Sequence, residues 1–314
     1  MTPAGKKNRC RTTTKGRPAS GVRGSVRLQP AVLVSRSRII DPPAVRVFVA
    51  LALFAATAPG CVKPTPVQEA MSLARRHREG EGIALLRADL ARDPGDVEAR
   101  ALLVRLLAFA GDMPGAQTEA TALAQHVPAG DPRAWIELGH AREVAHDFEG
   151  ALAAYDTAAS AAPANPAGPR EGGMRAARWG EVEEAAPRLE EAIKRGANEV
   201  EIWHALGLVR VHLHDLAGAS EAYRAGLVAD PKSAECWLGL ATVAALREDA
   251  AAALTAYDAI LVLRPRFASA ELGRAWALAK LGRKEDARAA LNRAEELGAP
   301  VATLAKQRAA LTAP

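Results

Sequence analysis

The sequence predicts an all-α solenoid of repeated units. Three observations carry this. A pattern of large, small and turn-forming residues returns every 34 residues through most of the 314-residue chain. Only 4% of residues are aromatic and Ala is abundant, which suits close helix packing more than sheets. Runs of β-branched residues are scarce beyond the first 60 positions.

The pattern is clearest from Trp203 to Pro231. Trp203, Leu206 and Gly207 form W-x2-L-G, a break follows at His214-Asp215, then come Ala219, Tyr223, Gly226 and Asp230-Pro231. This resembles the tetratricopeptide repeat, a helix–turn–helix unit of that period. The resemblance covers residues 63–301 and implies a right-handed superhelix of about seven units, 63–96, 97–130, 132–165, 166–199, 200–233, 234–267 and 268–301. Asp131 is a one-residue insertion, and residues 302–314, with Leu304 and Leu311, read as a capping helix.

Each unit repeats the same physical devices. Its eighth residue is Ala70, Val104, Gly139, Gly173, Gly207, Ala241 or Ala275, and its twentieth is Gly82 or an Ala. Small side chains there let two helices approach. Leu86, Tyr155, Leu189, Tyr223, Tyr257 and Leu291 fill the space beside them. The inter-helix turn carries His77, Gly111, His146, Gly180, His214, Glu248 or Gly282. Pro94, Pro128, Pro163, Pro231 and Pro265 stop second helices. One unit cannot bury its own apolar face, so stacking must supply stability. Unit 166–199 departs most, with Pro166, Pro169, Gly172 and Gly173 in its first helix. Either the repeat has drifted or it is a flexible joint, since an interior Gly costs about 1 kcal/mol against Ala.

Residues 1–60 read differently. Residues 1–44 are a basic leader rich in Arg, Lys, Ser, Thr, Gly and Pro, a composition expected to stay disordered. Arg46, the apolar run Val47–Ala58 and the small residues before Cys61 make a secretory signal over 45–60. A permanent span needs about 20 apolar residues, and this run is shorter. The ending is similar to a bacterial lipobox, which implies lipidation of Cys61. Gly60-Cys61 match it, while Ala58-Pro59 depart from it. A plain signal peptide and a buried N-terminal helix are the alternatives. A translation start at Val45 would leave residues 1–44 untranslated. Lys63-Pro64-Thr65-Pro66 closes a stiff tether over 61–66, with the solenoid over 63–314.

The net charge of +5 belongs to the leader. Residues 1–60 hold 11 Lys/Arg and one acid, which leaves 30 basic and 35 acidic residues of the total 41 and 36. A mildly acidic body lacks the clustered cations of a nucleic-acid binder. No phosphate loop, HExxH or GxSxG motif is present, so no catalytic residue, cofactor, metal or small-molecule substrate is assigned. His212 and His214 diverge on a helix. Cys236 is alone in the body and reads as a small buried hydrophobe.

The expected function is binding of a protein or peptide. In the resembled family the first helices line a concave groove through their second, fifth, ninth, twelfth and thirteenth residues. Here these include Arg75, Arg105, Phe109, Arg133, His140, Arg170, Met174 and Arg178 in the first four units. Further on they include His204, Leu208, His212, Leu238, Leu246, Leu272 and Trp276. The first half reads as basic and the second as apolar. That suits a segment with an acidic and a hydrophobic end, unless the face is merely solvated. The Lys/Asn clamp for C-terminal carboxylates is absent. The chain looks most like envelope repeat lipoproteins that assemble or pilot larger machines. Val62 after Cys61 points to the outer membrane, facing the periplasm. A soluble cytoplasmic adaptor with a mis-set start, and a repeat region regulating an enzyme on another chain, are the competing readings.

Overall fold

The computed structural model describes residues 63–312. The leader, the signal-like run and Cys61 lie outside the described residues. Among the described residues fourteen helices form seven antiparallel pairs, and a fifteenth closes the array. The pairs are α1 (Pro66–Arg75) with α2 (Glu79–Leu90), α3 (Val97–Phe109) with α4 (Met113–His126), and α5 (Arg133–Val144) with α6 (Phe148–Ala161). Then come α7 (Ala167–Trp179) with α8 (Val182–Lys194), α9 (Val200–His212) with α10 (Leu216–Ala229), and α11 (Ala234–Leu246) with α12 (Ala250–Leu263). Last are α13 (Ala268–Lys280) with α14 (Lys284–Glu296), and α15 (Val301–Thr312). No strand occurs among the described residues.

Turn chemistry sets each pair. All seven inter-helix turns place one residue at positive φ, at the same repeat position. Gly111, Gly180 and Gly282 do so without steric cost. His77, His146, His214 and Glu248 do so with φ between 57° and 61°, where a Cβ costs about 1–2 kcal/mol. The next residue caps the second helix: Asp112, Asp147, Asp215 and Asp249 accept from the backbone N–H three residues on. Thr65, Asp96 and Ser233 cap first helices in the same way.

Packing follows the period. Ala70, Val104, Ala116, Ala151, Ala185, Ala219, Ala241 and Ala253 are fully buried. Leu86, Tyr155, Leu189, Tyr223 and Leu291 fill the space beside them and are buried too, as is Cys236. Each first helix packs on its own partner, and from α3 onward also on the second helix of the preceding unit. First helices also meet one another, α1 with α3, α3 with α5, α7 with α9 and α9 with α11. Leu304 and Leu311 of α15 are buried against α13 and α14, which closes the core at that end.

Unit 166–199 needs its glycines for close approach. A Cβ on Gly168 would lie 2.5 Å from the Ala159 backbone nitrogen, and one on Gly173 would lie 2.9 Å from Leu189. Pro166 and Pro169 occupy the helix start, where the missing N–H is not required. Neither drift nor looseness is needed to explain these residues.

Candidate functional site

The candidate site is the face formed by the first helices, and its two halves are built differently. Across α3, α5 and α7 it carries a continuous polar ladder. Arg105 grips Glu137 of the next unit with both guanidinium arms, its Nη2 lying 2.5 Å from Oε1. His140, one turn beyond Glu137, lies between two carboxylates: Nδ1 is 3.8 Å from Glu137 and Nε2 is 3.6 Å from Glu171. Glu171 also meets Arg170 at 3.1 Å and Arg175 at 3.4 Å. Arg170 continues to Glu199 at 3.1 Å. Arg175 returns to Glu143 at 3.2 Å, and Glu143 accepts from the Tyr155 hydroxyl at 2.6 Å.

This ladder shifts its titrations. Burial alone would lower the His140 pKa, but the contacts to Glu137 and Glu171 outweigh it and leave the imidazole raised. The contact with His140 draws Glu171 down to about 2, against burial and with help from Arg175 and Arg170. Burial opposes the ionisation of Glu137, and His140 and Arg105 overcome it.

The expected basic half is therefore revised. Arg105, His140 and Arg170 face carboxylates of their own or the next unit, and Arg133 lies 3.4 Å from Asp131. Arg178 is exposed, Phe109 is 53% exposed and Met174 is half-buried against the core of the fourth and fifth units. Glu137, Glu143, Glu171 and Arg175 were not singled out from the sequence. The signal was there in the i,i+3 pair Glu137–His140 and the i,i+4 pair Glu171–Arg175.

Across α9, α11 and α13 the face is apolar. Leu208, Leu238 and Leu246 are 43%, 37% and 41% exposed. His204 is half-buried, with its ring 6.0 Å from that of Tyr223. Burial lowers its pKa, against the opposing effect of Glu235 and Glu201. His212 is exposed, and its Nδ1 lies 2.8 Å from the Leu208 carbonyl. Trp276 is half-buried, with its indole N–H buried and without a partner. A cleft of about 490 Å³ lined by Pro128, Asp131, Arg133 and Asn165 sits at the turn end of α5. Among the described residues no helix is long and apolar enough to cross a membrane. No group of three His, Cys, Asp or Glu among them is placed to hold a metal.

An array of stacked helix pairs with a shared inner row of first helices defines an α-helical repeat solenoid. Family models described as tetratricopeptide repeat match residues 200–243 and 238–302. Residues 200–302 are thus tetratricopeptide repeats, and the same helix-pair architecture runs through the described residues before them. The C-terminal part of a repeat-containing protein from Cytophaga hutchinsonii is similar in structure, with a TM-score of 0.60 and 14% identity over 77% of this chain and 98% of that one. YrrB, described as having an unusual peptide-binding site, gives 0.54 and 19% identity, over 62% and 97%. MamA gives 0.51 and 20% identity, over 53% and 91%. At such identities these likenesses bear on fold alone. No curated protein matches the chain in sequence. Tetratricopeptide repeat domains bind protein or peptide partners, so the fold is that of a protein–protein interaction scaffold.

Proposed function

We propose that the chain is a membrane-tethered scaffold of the bacterial cell envelope. A lipid on Cys61 holds it to the outer membrane on the periplasmic side, and its first-helix face takes a segment of a protein partner during assembly of an envelope complex. The observation that carries the tether is the order of segments. Arg46 and the apolar run Val47–Ala58 lead through Gly60 to Cys61, and the first repeat helix begins at Pro66. That order suits export, acylation and a short spacer. The capped start of α1 at Thr65 supports a folded domain beginning close to the anchor.

The test is the intact mass of protein extracted from membranes, with Cys61→Ala alongside. The expected product begins at Cys61 and carries added acyl mass, which the variant lacks. An unmodified chain in the soluble fraction would overturn the tether and leave the interaction scaffold alone.

A further inference from the structure

Tyr155 stands as a wedge between the third and fourth units. Its ring, carried by α6, would lie 2.4 Å from a Cβ placed on Gly139 of α5, and its own Cβ would lie 3.1 Å from one placed on Gly172 of α7. With that wedge in place, α5 and α7 are not among the first helices that meet closely. Charged side chains span the gap instead. His140 of α5 faces Glu171 of α7, and Glu143 of α5 pairs with Arg175 of α7.

The span is balanced only while His140 carries a proton. Its own helix brings Glu137 and Glu143, while Arg133 and Arg142 of that helix turn to Asp131 and the Gly150 carbonyl. From α3 comes Arg105, behind Glu137. From α7 come Glu171 and Arg175, with Arg170 behind Glu171 and Glu199 beyond it. From α6 the Tyr155 ring makes a T-shaped contact with the imidazole at 5.8 Å and donates its hydroxyl to Glu143, while Asp156 turns to Arg188. α4 turns its Glu119 to Arg100. Glu137, Glu143, Glu171 and Glu199 thus stand against Arg105, Arg170, Arg175 and the imidazolium. His140 is half-buried and Glu137 buried, so water screens the set poorly.

Loss of the proton leaves one negative charge in surplus and turns Nε2 from a donor into an acceptor. The donor within reach is Nη2 of Arg175, 3.4 Å away. A bond formed there is drawn from the hold of Arg175 on Glu171 and on Glu143, the contact that ties α7 to α5. The raised His140 pKa places this exchange above the ordinary imidazole value of about 6.5.

We propose that the α5–α7 joint is a proton-operated latch, closed while His140 is charged and slack once it is neutral. The first-helix face of the third and fourth units is then stiff in mild acid and yielding in mild alkali.

The test is hydrogen exchange of the full chain between pH values of about 6.5 and about 8.5, corrected for the intrinsic rate, with the His140 titration read by NMR. Amide protection in α5 and α7 is expected to fall about three- to tenfold as the pH passes the His140 midpoint. His204, with its lowered pKa, is already neutral in that window, so α9 and α11 are expected to stay level. His140→Gln is expected to abolish the step. Glu171→Gln is expected to move the step and the imidazole midpoint together to lower pH, which lost packing alone does not produce. That variant decides the matter should His140→Gln fold poorly. Level protection through the imidazole titration overturns the latch, as does a step that persists in His140→Gln or keeps its midpoint in Glu171→Gln.

Discussion

The third and fourth units and the fifth to seventh share a core and differ in the face they turn to a partner. In both halves small residues at the eighth and twentieth positions bring helices together, and a Tyr or Leu fills the gap. In the earlier half the volume above Tyr155 is taken by Glu143, Glu171 and Arg175 of the chain itself. In the later half Val211, Gly239, Ala245 and Gly273 stand at the corresponding places and leave the tyrosines unbonded. One repeat geometry can therefore carry a first-helix face whose polar groups pair within the chain or one that is largely apolar. The difference falls at two positions per unit, Glu143 and Glu171 in one half against Val211 and Gly239 in the other, and core packing constrains the second of them, because a Cβ on Gly239 would lie 2.3 Å from the Tyr223 ring.

Breaking the shared core should cost the most and should cost both halves alike. Leu138 and Leu206 hold the same repeat position and are 2% and 1% exposed. Leu138→Ala and Leu206→Ala are each expected to lose about 2–5 kcal/mol in urea unfolding. An unchanged midpoint for either would contradict the claim that the halves share one core.

Breaking the ladder should separate them. Glu171→Gln removes the negative charge shared by His140, Arg170 and Arg175, turns one acceptor oxygen into a donor, and is expected to cost about 1–3 kcal/mol. The later half has Gly239 and Gly273 there, so Gly239→Gln tests the converse. Its Cβ would meet the Tyr223 ring at 2.3 Å, and it is expected to destabilise by crowding with no gain from the added amide.

Titration sharpens the contrast further. His140 has a raised folded pKa, so its stabilising effect is complete below the unfolded value of about 6.5 and fades as pH rises through the folded one. His204 has a lowered folded pKa, so it costs stability as pH falls through about 6.5. Imidazole proton shifts followed by NMR should place the two on opposite sides of the ordinary value. His140→Gln is expected to remove stability chiefly at pH below 6.5, and an equal loss at all pH values would show that its charge is irrelevant. Glu171 contributes above its unfolded pKa, and that contribution is lost as pH falls toward about 2.

The smallest effect concerns turns that both halves share. His146 and His214 hold φ of 60° and 61° in the third and fifth units. Replacing either with Gly is expected to raise stability by about 0.5–1 kcal/mol, less the entropy Gly returns to the unfolded chain. Unequal gains would locate extra contacts at one turn.

Much of the fold was legible in the sequence, because period, turn residue and small-residue positions are local or recur at fixed spacing. His214 reads as a turn because of its place in the phase, although a His, unlike a Gly, meets a steric cost at positive φ. The ladder was less legible. Arg105 and Glu137 are 32 residues apart, and Tyr155 reaches Glu143 from another helix, so their meeting depends on how one unit is rotated on the next. Sequence spacing does not reveal that rotation, and Arg105 and Arg170 consequently read as free cations. Gly172 and Gly173 read as weakness for a related reason: a glycine's cost is visible in its own helix, whereas its benefit lies in another.

Tyr223 lies between Gly207 and Gly239, with a backbone on either side of one ring. A phenol has fixed thickness and no rotamer that makes it thinner. It acts as a gauge block between successive units, setting their separation by covalent dimensions, where a leucine would adjust by turning about its bonds. A partner laid along this part of the array therefore meets a ruler whose graduations are machined into the chain before it arrives.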